Sequence, residues 1–305
     1  MTAFSIIVPC YNAEATIRQT LDSLCAQTFS DWEAICIDDG SSDRTVDLVL
    51  DMAEQDDRIR IGPNSGKGPS HARNFGALLA KGEVFAFCDA DDVWLPTKLA
   101  ELARTFTDPN VDGAYGQIGF FHTDPHDPTA FSTVPDEDLT IEGLLGENPV
   151  CTMSNVALRA AAFRRTGGFD TTMVHNEDLE WLIRLVGAGA RIIGCQTLQT
   201  MYRTSVGGLS TDLDAMLAGR ARAIRAAEGF GVRPTARSHA IHHRYLARRA
   251  LRLSEARTTA LRHAVTGLRH SPKGFFSPFR RGALTLVGAC GALALPRTTR
   301  QSLFS

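Results

Sequence analysis

Glu83-Val84-Phe85-Ala86-Phe87-Cys88-Asp89-Ala90-Asp91-Asp92 is an apolar run that ends in three carboxylates within four residues. It is short and continuous rather than alternating, the pattern of a strand buried on both faces. The acids at its end repel one another and resist burial, so a cation beside them would be favoured. Oxygen ligands of this kind suit Mg²⁺ or Mn²⁺, which keep few protein ligands and share the rest with water and phosphate. The same residues also suit a solvated turn in which an Asp caps the following helix.

The pattern repeats upstream. Phe4–Val8 is a β-branched run stopped by Pro9 and followed by Cys10-Tyr11-Asn12. Ala13–Gln27 has helical spacing through Ile17, Leu21 and Leu24. Trp32–Ile37 is a second strand, ending in Asp38-Asp39-Gly40-Ser41-Ser42-Asp43. Ser42 or Asp43 suits the cap of the next helix, whose apolar face is Val46, Leu48, Val49 and Met52. Ile59–Ile61 reads as a short strand and Pro69–Ala80 as a helix. Strands alternating with helices predict an α/β fold, with a mainly parallel central sheet flanked by helices. In such sheets ligands bind outside the carboxyl ends of the strands, where the three polar clusters would meet.

Downstream, a strand is expected near Ala114–Phe120 within a region, 107–150, that is otherwise irregular and rich in Pro, Asp and Gly. Helices are expected at Arg159–Arg165 and Glu177–Gly187, and strands at Arg191–Ile193 and Leu198–Tyr202. From Asp212 the chain reads as helical and Arg-rich to about Leu268. The division is therefore 1–212, an α/β body, and 213–305, a helical basic C-terminal extension.

Two nucleotide motifs fail. A Walker A loop needs four residues between its glycines and Ser or Thr after Lys, but Gly62 and Gly66 enclose three and Gly68 follows Lys67. The dinucleotide fingerprint needs a third glycine where His71 stands. Gly66-Lys67-Gly68 suits equally a flexible loop into a helix or a donor-contacting loop.

The composition, 44% hydrophobic and 22% charged, excludes wholesale disorder. The net charge of −2 hides two opposed parts. Residues 220–305 carry 17 Lys and Arg against 2 Glu, +15, and residues 1–219 carry 15 against 32 acids, −17. The amino terminus lacks the basic and apolar regions of a signal peptide, and no run reaches the length of a spanning helix. Ala283–Leu295 suits a buried or interfacial segment. Seven scattered cysteines, without CxxC spacing, read as reduced thiols and small core side chains, so a cytoplasmic location is expected.

In order along the chain stand Val8-Pro9-Cys10-Tyr11-Asn12, Gln27-Thr28-Phe29, Asp38–Asp43, Ala72-Arg73-Asn74 with Gly76, and Gly82-Glu83. Asp89–Asp92, Gly167-Gly168-Phe169-Asp170, Glu177-Asp178 and Tyr202-Arg203 follow. This series resembles the family 2 glycosyltransferases over about residues 4–210, and does not cover the basic tail. The resemblance implies a GT-A fold, a nucleotide-sugar donor (a UDP-sugar above all), Mg²⁺ or Mn²⁺, and inversion at the anomeric carbon.

By motif matching, Asp39 would contact the nucleobase, and Pro9, Tyr11 and Asn12 would line the same pocket with Tyr11 beside the base. Asp91 is the matching metal-binding carboxylate. Asp89, Ala90 and Asp92 lie beside it on the donor, with Asp92 near the metal. Arg73 would sit by the diphosphate or brace the acids. Asp178 matches the catalytic base. Glu177, Gly168 and Phe169 would shape the acceptor end. Trp181 suits either stacking on an acceptor sugar or the core. His175 and Asn176 are further acceptor contacts. His71, His122 and His242-His243 read as solvated or capping.

The family often shows Tyr-Arg-x-His near the end of this region, where the present chain has Ser205. Arg203 or the loop Ser205–Ser210 would then meet the diphosphate, or the metal would bind more weakly. The implied acceptor is a hydroxyl of a glycan or lipid-linked glycan in cell-surface polysaccharide synthesis. A non-catalytic nucleotide-sugar-binding protein and a sugar nucleotidyltransferase are the rival classes. Retained Asp39, Asp91 and Asp178 speak against the first, and Cys10-Tyr11-Asn12 in place of a Gly-rich basic loop against the second. In the tail, Arg residues beside Phe275-Phe276, Phe279 and the apolar Ala283–Leu295 suit an anionic membrane surface, on the cytoplasmic face of the inner membrane. No nucleic-acid-binding module is recognisable.

Overall fold

The computed structural model describes residues 2–204, 213–252 and 257–295. Its contacts divide it into two compact units, 1–139 with 149–223, and 140–148 with 224–305.

The first unit is built on a nine-stranded mixed sheet. Its elements begin β1 (Phe4–Cys10), α1 (Ile17–Cys25), β2 (Trp32–Asp38), α2 (Thr45–Ala53), β3 (Ile59–Pro63) and α3 (Pro69–Leu79). Then come β4 (Val84–Phe87), β5 (Val93–Trp94), α4 (Lys98–Thr105), β6 (Gly113–Phe121) and β7 (Ala130–Phe131). A 3₁₀ turn at Met153–Asn155 leads into β8 (Val156–Arg159), α6 (Ala160–Thr166), α7 (Glu177–Gly187) and β9 (Ile192–Arg203). The strand order is β3-β2-β1-β4-β8-β6-β9-β5, with β7 on the flank of β6. β1, β2, β3 and β4 are mutually parallel, as are β6 and β9, while β8 runs antiparallel between β4 and β6. The α/β expectation therefore holds, with an antiparallel strand inserted at the centre.

Three boundaries differ from the reading of the sequence. Pro9 does not stop β1. The Ile7 carbonyl faces β4, accepting from Cys88 N, so Pro9, two residues on, faces the same side beyond the last β4 partner, Phe87. Its missing N–H costs no ladder bond there. The two expected strands near 191–202 are one, β9, carrying register shifts against β6 between Tyr115 and Ile118. Residues 107–150 also contain β7 and a short helix, α5 (Ile141–Gly146), capped where Thr140 Oγ1 accepts from Gly143 N.

β1, β2 and β4 are buried almost throughout. Two polar residues inside them are paired at the amino-terminal edge: Ser5 Oγ donates to Glu33 Oε1 at 2.6 Å and accepts from Gly82 N at 2.8 Å. All seven cysteines are free thiols. Cys10, Cys36 and Cys88 are buried, but Cys151 and Cys290 are exposed and do not serve as core.

The second unit holds α5, α9 (Ala236–Arg252), α10 (Arg257–His270), α11 (Pro272–Phe275) and α12 (Phe279–Ala294). The boundary between units falls within α8 (Leu213–Gly229). Its core is made of small side chains, Ala240, Ala247, Ala250, Ala260, Ala264, Ala289 and Ala292, around Phe275. Among the described residues no helix is long and apolar enough to cross a membrane.

Gly82 gives a test of the β1 edge. A Cβ there would lie 2.6 Å from Ser5 N and 2.8 Å from the Phe4 carbonyl carbon, both backbone atoms that cannot swing away. Gly82→Ala should lower unfolding stability by about 1–3 kcal/mol, measured by urea denaturation.

Candidate active site

Adjacent parallel strands β2, β1 and β4 bring their carboxyl-end loops together. The first two loops are knit by side chains. Asn12 adopts a left-handed conformation, φ 46°. Its N–H donates to Ser41 Oγ at 3.0 Å, and its Oδ1 accepts from Ser42 N at 2.8 Å. Asp38 accepts from Gly40 N, Ser41 N and Ser41 Oγ, an Asx turn that shapes the loop. Asp43 accepts from Glu14 N and Thr45 N, but the N-cap of α2 is Arg44 and carries no side-chain cap, so neither Ser42 nor Asp43 is the expected cap. Tyr11 stands out at the rim, 61% exposed.

Asp39 is held by the loop after β3. Its carboxylate accepts from Asn64 Nδ2 at 2.7 Å and Gly68 N at 2.9 Å, while Lys67 Nζ donates to its carbonyl at 3.0 Å. Gly66-Lys67-Gly68 therefore packs on Asp39 instead of hanging free. His71 is not solvated: its Nδ1 lies 2.8 Å from Asn64 Oδ1, and a Cβ at Gly66 would strike its ring.

The acid loop splits into three environments. Asp89 Oδ1 accepts from Arg73 Nη2 at 2.7 Å, and its backbone N–H donates to Ser154 Oγ at 2.8 Å. Asp91 is partly exposed, and burial together with the Asp89 charge pushes its carboxyl up to about 6. Asp92 is fully buried; its Oδ1 accepts from Arg203 N at 3.0 Å and its Oδ2 faces Thr152 Oγ1 at 3.5 Å. Burial and the neighbouring Asp91 and Asp89 charges raise its pKa well above the usual carboxylate range. Asp92 is thus a structural acid, which corrects its expected place on the metal. Ala90 is also buried, its carbonyl accepting from Thr16 Oγ1 at 2.9 Å.

Arg203 braces this loop. Its Nε donates to Asp91 O at 2.9 Å and its Nη2 to Gln19 Oε1 at 2.5 Å. The expected loop Ser205–Ser210 lies outside the described residues. Pro9 and the other donor-side residues stand on this same edge.

Beneath the loop lies Lys98, fully buried. Its Nζ donates to Ser154 O and Thr200 Oγ1, both at 2.9 Å, and sits 4.5 Å from the Trp94 ring centre. Burial pulls its ammonium down to about 7. Ser154 therefore takes Lys98 on its carbonyl and Asp89 on its hydroxyl. Nothing local in the sequence singles out Lys98, Thr152 or Ser154, since each acts across more than fifty residues.

Arg73 joins the acid loop to α7. Buried on α3, it reaches Asp89 at 2.7 Å and Glu177 Oε1 at 3.3 Å. Burial pushes the Glu177 carboxyl up to about 7, aided by Asp178 and opposed by Arg73. Burial also raises Asp178, opposed by the Leu179 N–H and by Arg73. Next to Arg73, Asn74 clips the preceding turn: its Nδ2 donates to Phe169 O, and its Oδ1 accepts from Phe169 N, both at 2.8 Å. Gly168 has φ 77°, and a Cβ there would lie 2.4 Å from Asn74 Oδ1. Only glycine fits that close approach.

The acceptor-side expectations need correction. Trp181 is wholly buried, packed 4.4 Å from Phe169 and 5.9 Å from Phe87 between ring centres. Phe169 is buried as well. Both are core, so neither ring is open to stack on a sugar; the helical spacing alone could not separate these roles. Gly168 is buried too, and its carbonyl accepts from Arg184 Nη2. Asn176 is tied through Nδ2 to Met216 O at 2.5 Å, and the His175 carbonyl packs on Gly219. Glu177 stays at the site through Arg73.

Among the described residues no three His, Cys, Asp or Glu side chains converge as a metal cage. The donor set still fits a hard cation of the Mg²⁺ type. Asp91 is a partly exposed carboxylate beside a second acid, the kind of group such ions take while completing their shell with water and phosphate.

The model described as glycosyl transferase family 2 matches residues 5–167. A UDP-Glc:alpha-D-GlcNAc-diphosphoundecaprenol beta-1,3-glucosyltransferase, WfgD of Escherichia coli, is 31% identical over 210 residues, 68% of this chain and 79% of that protein. Among solved structures, S. aureus TarS 1–349 in complex with UDP-GlcNAc superposes with a TM-score of 0.63 at 18% identity, covering 98% of this chain and 90% of that one. The mannosyltransferase PcManGT from Pyrobaculum calidifontis, in complex with GDP-Man and Mn²⁺, gives 0.60 at 20% identity, covering 98% and 83%. At these identities the two structures share the fold.

The raised Glu177 carboxyl has a definite sign in stability. Its folded pKa, about 7, exceeds the ordinary 4.5, so the folded state holds the proton more tightly. Its contribution is full below the ordinary value and is lost as pH rises through about 7. Glu177→Gln cannot ionise, so its stability should gain on the wild type between pH 4.5 and 7 in urea unfolding. A constant difference across that window would contradict the assignment.

Proposed function

The chain belongs to glycosyl transferase family 2, and from that premise we propose that it is an inverting, metal-dependent transferase of a UDP-linked sugar. The acceptor in this reading is a hydroxyl of a lipid-linked glycan, on the path to a cell-surface polysaccharide. The single observation that carries it is the edge on which Asp39, the acid loop and Asp178 stand together, with Arg73 spanning Asp89 and Glu177. The UDP-Glc specificity in the name of WfgD and the UDP-GlcNAc bound in the TarS complex support the choice of donor.

Each residue has a physical task in this scheme. The Asp39 carboxylate, oriented by Asn64 and Gly68, accepts an N–H of the base at the floor of a pocket edged by Pro9, Tyr11 and Asn12. Asp91 is the residue that holds Mg²⁺ or Mn²⁺. The ion, when bound, offsets the charge that develops on the departing diphosphate. Asp89 is committed to Arg73, which keeps two acids from repelling each other beside the phosphates. Asp178 takes the proton of the acceptor hydroxyl as the oxygen attacks the anomeric carbon from the face opposite the leaving group. Its burial raises its pKa and so strengthens it as a base. Glu177, engaged with Arg73, holds the first turn of α7 in place.

Removing the base separates chemistry from binding. Asp178→Asn should cut transfer about 10²–10⁴-fold while donor affinity by calorimetry stays at the wild-type level. Wild-type turnover in this variant would remove Asp178 from the role. Asp91→Ala should abolish the Mn²⁺-dependent part of donor binding, read by titrating donor with and without the ion. An unchanged Mn²⁺ dependence would exclude Asp91 as its ligand.

A further inference from the structure

α12 is an amphipathic helix turned inside out. Its buried side carries Gly282, Thr285, Gly288, Ala289 and Ala292. Its outward side carries Phe279, Leu284 and Val287, which are 72%, 63% and 70% exposed, with Cys290 and Leu293 beside them. A helix of a soluble domain places large apolar side chains inward and polar ones outward. Here the small residues are what the fold needs: a Cβ at Gly282 would lie 2.5 Å from Phe275 O, so the backbones approach closely. Phe279 touches Phe276, with ring centres 5.6 Å apart, while Leu284 and Val287 stand outside the unit's core. Residues 282–295 contain no charged side chain at all.

The unit that carries this face is rich in arginine. Arg280, exposed, heads α12 at the first turn. Arg281, Arg244 and Arg248 converge on the single carboxylate of Glu147, with nitrogens 3.3, 3.2 and 3.9 Å from it. Three guanidiniums around one carboxylate leave a local excess of two positive charges. Burial and the nearby Arg281 charge pull the Arg248 guanidinium down to about 10, as such crowding requires. Across the whole unit, 15 Lys and Arg stand against 4 Glu, a balance of +11.

We propose that the outward face of α12 docks on an anionic lipid surface, its apolar side chains among the acyl chains and its flanking arginines at the phosphate headgroups. At 16 residues the helix is about 24 Å long, too short to cross a bilayer and suited to lying along it. The charge selects the occupant. A second copy would bring +11 against +11, which repels, whereas phosphate headgroups neutralise the arginines. This surface is independent of the transfer chemistry proposed above.

The test uses the full chain with vesicles of phosphatidylcholine alone and of phosphatidylcholine with phosphatidylglycerol, separated by co-sedimentation. The wild type should pellet with the anionic vesicles and be released by salt. The double variant Leu284→Glu/Val287→Glu should partition roughly tenfold less or weaker, and Arg280→Glu should lose part of the binding on anionic vesicles only. Both substitutions are on exposed positions, and an unchanged urea midpoint and donor affinity verify the fold. The proposal is overturned if the wild type stays in the supernatant with anionic vesicles, or if the double variant pellets like the wild type. It is also overturned if light scattering finds a wild-type dimer that the double variant turns into a monomer. Loss of glycosyl transfer alone would leave all these readouts in place.

Discussion

Arg73 places a buried guanidinium between two acids that belong to separate parts of the chain, Asp89 after β4 and Glu177 at the start of α7. A buried cation of this kind is tolerated because both partners are close, and each partner is tolerated for the same reason. Removing one would leave uncompensated charge, a cost of about 3–5 kcal/mol. The neighbouring Asn74 fastens the same helix to Phe169, so one turn of α3 fixes both the acid loop and the approach to Asp178. The rest of the site is arranged around that fixed point. Asp92 and Lys98 lie underneath as a buried floor, and Asp91 remains the partly exposed carboxylate of the loop.

Much of this is legible in the sequence, and for identifiable reasons. Strands β1, β2 and β4 are buried on both faces, so they appear as apolar runs, and each is followed by the polar residues that the sheet edge exposes. The bounds of α7 coincide with the expected Glu177–Gly187 because its acidic start and apolar spacing are both local signals. The family motifs place the site residues in order. What escapes is whatever depends on distant partners. Trp181 has the spacing of a sugar platform and the surroundings of a core residue, Phe87, Phe163 and Phe169, which only the fold assembles. Asp92 looks like a third ligand until Arg203, more than a hundred residues away, donates its N–H to it. Lys98 sits on α4 among charged neighbours and reads as a surface lysine, yet Ser154 and Thr200 receive it in the interior.

The near-zero net charge conceals a division of labour between the units. The acids of the first unit gather partly at the sheet edge, where a cation and a diphosphate have reason to bind. The second unit carries the excess of arginine and a core made largely of alanine. Small core residues let its helices pack closely and free the large apolar side chains for the outside. Composition alone registers both as an ordinary globular chain.

Asp39 and Arg73 are joined through the first half of α3. Gly68, the residue before α3, donates its N–H to the Asp39 carboxylate, and Arg73 follows five residues later, about 7.5 Å along the axis. A ligand that pulls Asp39 away from Gly68 therefore works on the helix that grips the acids. The Asp39 loop and the acid loop are therefore mechanically joined: a substitution that moves Asp39 will be felt as altered charge balance at Asp89 and Glu177.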